Sequence, residues 1–78
     1  MTEQNTPPET VADLIRKWRS RREFAEAVGE TLDNVHKWAQ SGRIPSWKQA
    51  AVLEAARKRQ VPVDAEWMVA LHAERGAA

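Results

Sequence analysis

Polar side chains between residues 31 and 40 carry hydrogen-bonding groups that match the edges of DNA bases. Lys37 can donate to guanine O6 or N7, Gln40 can offer a donor and an acceptor to adenine, and Thr31 can reach a phosphate or a thymine methyl group. Asp33 could accept from cytosine N4, or it could stabilise the start of a helix. Asn34 and His36 join these four residues as candidate base readers.

Residues on both sides of this set could bind phosphate. Arg21 and Arg22 stand at the predicted start of a helix, where free backbone amides and the helix dipole already favour an anion. The candidates on the other side are Ser41, Arg43, Ser46 and Lys48. Solvated surface charge is the alternative reading for each of these residues taken singly.

Two short helices are predicted to hold these side chains. In the first, Phe24, Ala25 and Val28 share one apolar face, Ser20 caps the start, and Gly29 ends the helix. In the second, an apolar stripe turns inward and leaves the polar set outward, with Thr31 or Asp33 as cap. The stripe consists of Leu32, Val35, Trp38 and Ala39. Small Ala25 would let the two helices cross closely.

The run from Arg21 to Gln40 resembles the helix-turn-helix of the Cro/repressor class of phage regulators. The positions that carry the resemblance are Phe24, Ala25, Gly29, Val28, Val35 and Trp38. The turn Gly42-Arg43-Ile44-Pro45 after the second helix is further similar to the small "carph-isopro" variety of that class. The resemblance covers roughly residues 20 to 67. Glu30 departs from it, because that position is usually apolar in the family.

The resemblance implies a compact all-α domain of five helices, of the lambda-repressor-like type, that binds double-stranded DNA. The helix over residues 32–40 would enter the major groove, and the protein would act as a transcriptional regulator of phage or prophage type, most simply a repressor. Such proteins usually bind as homodimers on half-sites about one helical turn apart. For the dimer contact the sequence offers Trp47 and Met68.

Three further helices are predicted around this pair. The first has Thr10 as cap and buries Val11, Leu14, Ile15 and Trp18. The fourth has Ser46 as cap and buries Val52, Leu53 and Ala56, and Pro62 then breaks the chain. The fifth has Asp64 as cap, and Val63, Trp67, Ala70 and Leu71 line one of its faces. The domain is expected over residues 10–74, between a disordered arm (1–9) and a flexible tail (75–78).

Trp47 is predicted to be exposed, because on a regular helix it lies nearly opposite the buried stripe of the fourth helix. It could fold back over Ile44 and Pro45 as a hydrophobic staple, contact a DNA backbone through its N–H, or contact a second subunit. Core packing is the expectation for Trp18, Trp38 and Trp67.

Composition limits the function classes. With 78 residues the chain is one small domain, and it has no cysteine for a disulfide or a thiolate metal site. No apolar run approaches the roughly 20 residues of a membrane helix, and the first eight residues are polar. We therefore expect a soluble cytoplasmic protein without a membrane partner, and the resemblance further implies that it is bacterial or phage-encoded and associated with the nucleoid.

The net charge of +1 hides a central basic region. Eleven of the twelve Lys and Arg residues, but only five acids, lie between Arg16 and Arg59, and no acid lies between Asn34 and Leu53. A surface that faces phosphates needs this distribution. For Arg57, Lys58 and Arg59 solvation at a helix end is the simpler interpretation.

The sequence gives no support for catalysis. His36 and His72 stand alone on separate predicted helices, and the glycines form no phosphate-binding loop, so we expect no enzyme activity, no cofactor and no metal. The rival function is a protein-interaction module, such as an antitoxin-like partner or an adaptor with the same helical fold. Glu30, Asp33 and the acidic chain ends keep that rival open.

Overall fold

In the computed structural model, residues 7–76 are described, with side chains described through residue 73. Over this range the chain forms five α-helices and no strand, as predicted. The helices are α1 (Val11–Ile15), α2 (Arg21–Val28), α3 (Leu32–Ser41), α4 (Ser46–Lys58) and α5 (Ala65–Gly76).

Side chains cap four of the helices as the sequence predicts. In each case an oxygen accepts from the amide three residues on, at 2.9 to 3.2 Å, and the capping residues are Thr10, Ser20, Thr31 and Asp64. At α4 the prediction is wrong. Pro45 occupies the N-cap position, Ser46 is already helical, and no side chain caps this end. Proline fits there because its fixed φ suits the entry into a helix.

The observed helix α1 ends at Ile15, before the end of the apolar stripe predicted for it. After Ile15 the hydrogen bonds tighten, with the Lys17 amide donating to Leu14 O and the Trp18 amide to Ile15 O, each at 3.0 Å. Trp18 therefore lies in a turn, but it remains buried and packs edge-on against Phe24, with ring centroids 4.8 Å apart.

Phe24 lies at the centre of the core, between Trp18 and Trp38, and is fully buried. Val52 and Ala56 are buried as predicted, whereas Leu53 is only partly buried and Ala55 takes its place. Met68 is 2 % exposed. Met68 is a predicted candidate for the dimer contact, but α5 turns this side chain into the core, where it cannot meet a second subunit.

Arg59 closes the end of α4 against the turn after α1. Its Nε donates to Lys17 O at 2.9 Å, and its guanidinium lies over the Trp18 ring, 5.6 Å from the ring centroid. Arg59 therefore makes specific contacts, in contrast to the simple solvation expected for it. Neighbouring Arg57 pairs with Glu54, one helical turn earlier on α4.

The ordered domain begins before residue 10. Pro8, assigned from the sequence to a disordered arm, is buried, and its carbonyl accepts a hydrogen bond from Trp67 Nε1 at 2.7 Å. At the other end α5 continues to Gly76, two residues beyond the predicted domain boundary. The rest of the predicted arm (1–6) and tail (77–78) lies outside the described residues.

Gly29 forms the turn between α2 and α3 in the left-handed conformation, with φ of 71°. The Glu30 amide then donates to Ala25 O at 2.8 Å, which closes the helix end. A Cβ at Gly29 would meet only Lys48 Nζ, at 3.7 Å, so space is not the constraint.

We expect Gly29→Ala to lower the free energy of unfolding by about 1–2 kcal/mol, because an L side chain is strained in this conformation. Urea unfolding followed by tryptophan fluorescence measures the change. Gly29→Asn is the control and should lose less, since Asn tolerates the left-handed region. Equal losses for the two variants would show that the backbone conformation is not the cause.

Candidate nucleic-acid interface

The two faces of α3 differ as the sequence predicts. Val35 and Trp38 are buried against the rest of the core. The outward residues Asp33, His36, Lys37 and Gln40 are exposed, as is Thr31 at the N-cap. Five of the six candidate base-reading side chains therefore share an accessible surface at or on one helix.

Arg21 joins the start of α2 to this surface. Its Nη1 lies 2.7 Å from His36 Nδ1. Because a guanidinium has only donors, Nδ1 must be the unprotonated acceptor of this imidazole. A predicted phosphate contact and a predicted base reader are thus adjacent, although 15 residues separate them in the sequence.

A groove between the end of α3 and the start of α4 brings further candidates together. Ser41, Arg43 and Ser46 are exposed and line it beside Lys37, and Trp38, Ile44 and Pro45 contribute apolar surface. Arg22 is exposed at the start of α2. Except for Lys48, the predicted phosphate-binding residues are therefore accessible.

His72 is a residue of this groove that the sequence did not reveal. The Ile44 amide donates to its Nε2 at 2.8 Å, and its Nδ1 lies 2.8 Å from Met68 O. Since a carbonyl only accepts and a backbone amide only donates, Nδ1 is the donor and Nε2 the acceptor in these two contacts. The side chain ties α5 to the turn after α3, a contact across 28 residues that no local pattern indicates.

Glu30, which departs from the resembled motif, forms a network at the start of α3. Its Oε2 accepts from Asn34 Nδ2 at 2.6 Å and from the Thr31 amide at 3.2 Å, and its Oε1 lies 3.8 Å from Lys48 Nζ. The hydrogen bond from Asn34, then that from Thr31, and the positive charge of Lys48 lower the pKa of Glu30. A carboxylate also suits this position because it faces a helix N-terminus.

Lys48, a predicted phosphate contact, is bound to the end of α2. Its Nζ donates to Val28 O and Gly29 O, both at 3.0 Å, and pairs with Glu30, so the side chain is only 22 % exposed. These contacts arise because the last carbonyls of α2 lack helical partners and attract a cation. A phosphate contact by Lys48 stays a prediction.

Asn34 is bound at the same turn. Its amide nitrogen donates to Glu30 and the residue is half-buried, so the side chain is part of the network at the start of α3. Its base contact stays a prediction, and the other five candidates are the exposed ones.

Trp47 is 78 % exposed, as predicted. A hydrophobic staple over Ile44 and Pro45 would cover the indole, so this exposure argues against the staple. Met68, the other candidate for a dimer contact, is buried and offers no surface to a second copy.

The acid stability of the domain should depend on Glu30. Since its pKa is lower in the folded protein, the charged carboxylate stabilises the fold above the pKa of the unfolded chain, and this contribution disappears as the pH falls through the folded pKa. Below about pH 5, we expect the free energy of unfolding of the wild type to decline more steeply than that of Glu30→Gln. Urea unfolding at a series of pH values measures both.

The matched control for this experiment is Glu26→Gln, a change at an exposed carboxyl on α2. Its pH profile should follow that of the wild type. Parallel profiles for Glu30→Gln and the wild type would contradict the role assigned to the network.

Comparison with protein-family models, curated proteins and solved structures found no match to the chain. Within residues 7–76 no helix has both the length and the apolar character needed to cross a membrane. The described residues also contain no group of three or more His, Asp or Glu side chains arranged to hold a metal ion.

Proposed function

We propose that the chain is a sequence-specific DNA-binding regulator of the Cro/repressor type that places α3 in the major groove. The observation that carries this proposal is the continuous exposed surface formed by the outward face of α3, Arg21 beside His36, and the groove with Arg43. From Leu32 through Leu53 the only acid is Asp33. The charge of Glu30, directly before this segment, is compensated by Lys48.

The dimensions of α3 are compatible with this role. Its 10 residues span about 15 Å, and a helix about 10–12 Å wide fits a major groove about 12 Å wide. Lys37 and Gln40 lie one turn apart and would read neighbouring base pairs, with His36 and Thr31 at the same surface. Arg21, Arg22 and Arg43 would hold phosphates on either side, assisted by the hydroxyls of Ser41 and Ser46.

The regulatory mechanism would be occupancy, in which the bound protein blocks polymerase or recruits it. A reading surface of this size gives limited specificity alone, so we propose that two copies bind neighbouring half-sites. This function places the protein with the nucleoid in the cytoplasm. The rival is an antitoxin-like or adaptor module that uses the same helices to hold another protein.

A salt titration against random duplex DNA separates the two proposals. A DNA-binding protein should show a linear fall of log K with log[salt], with a slope of about −0.9 for each phosphate neutralised. A protein-interaction module should show no binding at low salt, or binding without this steep dependence. Either of these results would reject the DNA-binding proposal.

Lys37→Ala and Arg22→Ala should weaken DNA binding in different ways. After selection of bound sequences from a random duplex library, Lys37→Ala should lose about 1–3 kcal/mol of discrimination at one base position. Arg22→Ala should weaken all sequences alike and reduce the salt slope by about 0.9. Competition binding on the selected site and its single-base variants measures both effects.

Arg16→Ala provides the control, because Arg16 follows α1, outside the proposed surface, and pairs with Asp13. It should leave affinity and specificity unchanged. If Lys37→Ala and Arg22→Ala gave the same profile, the assignment of one residue to bases and the other to phosphate would be wrong.

A further inference from the structure

One face of α4 is unlike the rest of the protein surface. Trp47, Ala51, Glu54 and Lys58 follow one another at intervals of four, three and four residues, so they form a single stripe along the helix. Trp47 is the most exposed large apolar side chain in the described part of the protein. This exposed indole forms a knob that is available to a partner molecule.

A groove between α2 and α4 is lined in part by the same stripe. Small side chains form its walls where Ala27 of α2 faces Ala51 and Ala55 of α4. Trp18 adds aromatic surface. At the end farthest from Trp47, the groove is bordered by Lys58 and Arg59. Knob and groove therefore lie on one face, which is the arrangement that a self-complementary two-fold contact requires.

We propose that this face, defined by the Trp47–Lys58 stripe and the groove beside it, binds a second copy of the chain with the two α4 helices antiparallel. Trp47 and Lys58 lie equally far from the midpoint between Val52 and Leu53, and so do Ala51 and Glu54. A two-fold axis at that midpoint therefore sets each Trp47 level with Lys58 of the second copy, and each Ala51 level with Glu54 of the second copy.

In this register the cations of one copy meet the indole of the other. Each indole reaches the groove end bordered by Lys58 and Arg59, and cations attract the face of an indole ring. Each Glu54 is already paired with Arg57 of its own chain, so the two carboxylates near the axis are neutralised before contact. Small Ala51 leaves room for the Glu54 side chain opposite it.

The area argues for a reversible dimer. Two inserted tryptophans bury about 300–500 Å² of their own surface, and the grooves that receive them bury a similar amount. The total lies below the roughly 1,200 Å² typical of stable complexes, so dissociation in the micromolar range is expected. The face is argued without reference to DNA, so its test is independent of the proposed function.

Sedimentation equilibrium of the full chain tests the face directly. The mass should rise from 8.8 kDa toward twice that value as the concentration increases through the micromolar range. Trp47→Ala should weaken association at least tenfold. Val69→Ala, which shortens the exposed apolar side chain of α5, should leave it unchanged. A chain that stays monomeric throughout, or equal effects of the two variants, would overturn the proposal.

Cysteine cross-linking tests the register, because the chain has no cysteine of its own. Under oxidation, a mixture of Ala51→Cys and Glu54→Cys chains should form mixed disulfide dimers faster than either variant alone forms its own. No preference for the mixed product would overturn the antiparallel register. Dimerisation without binding to duplex DNA would support this face and reject the DNA proposal, and the reverse result would do the opposite.

Discussion

Phe24→Ala is expected to lower the free energy of unfolding by about 3–5 kcal/mol. The side chain is fully buried and packs edge-on against Trp18 and Trp38, with centroid distances of 4.8 and 6.3 Å. Removing the ring leaves a cavity and takes away both aromatic contacts. A small domain has roughly 5 kcal/mol or somewhat more in total, so the variant should be close to unfolded at 25 °C.

Urea unfolding followed by circular dichroism measures this loss, since fluorescence would change with the environment of the two tryptophans. Val69→Ala is the control, because Val69 is 66 % exposed and its truncation should change stability by less than about 0.5 kcal/mol. A loss below about 1.5 kcal/mol for Phe24→Ala would show that this ring does not organise the core.

Lys48→Met should destabilise the protein by about 2 kcal/mol without changing how DNA affinity depends on salt. The substitution keeps the apolar stem but removes the ammonium that binds Val28 O, Gly29 O and Glu30. Hydrogen bonds to a charged group each contribute about 1.5–3 kcal/mol, and some of that is recovered because water replaces the ammonium. The exposed Lys37→Met provides the control and should stay within about 0.5 kcal/mol.

The DNA-binding part of this prediction distinguishes positioning from direct contact. If Lys48 only holds the turn between α2 and α3, Lys48→Met weakens binding while the slope of log K against log[salt] stays constant. A slope reduced by about 0.9 would instead show that Lys48 neutralises a phosphate, as the sequence alone suggested. Binding is measured at a temperature where the variant is fully folded.

Local patterns in the sequence predicted most of the helical architecture. The spacing of Val35 and Trp38 gave the inner face of α3, and caps such as Ser20 and Thr31 marked helix starts, because capping depends only on residues three positions apart. The same locality explains why the exposed side of α3 was anticipated. Burial of Met68 was missed because it depends on how α5 packs against distant helices.

Local sequence patterns could not predict contacts between distant residues. These contacts account for most of the differences between the predicted and the observed candidate site. Lys48 reaches the end of α2 across about 20 residues, and His72 reaches Ile44 across 28. An acid-free segment does not reveal whether its lysine faces a phosphate or the end of a helix. The distances from Lys48 to Val28 O and Gly29 O show that the ammonium lies at the helix end in this structure.

The bond from Arg59 to Lys17 O has a consequence for folding kinetics. It joins residues 42 positions apart, and the chain between them contains all of α2, α3 and α4. Closing so long a segment is entropically unfavourable until those helices are already in place, so we expect this contact to form after the rate-limiting barrier. Arg59 should therefore set the lifetime of the folded state more than the speed of reaching it.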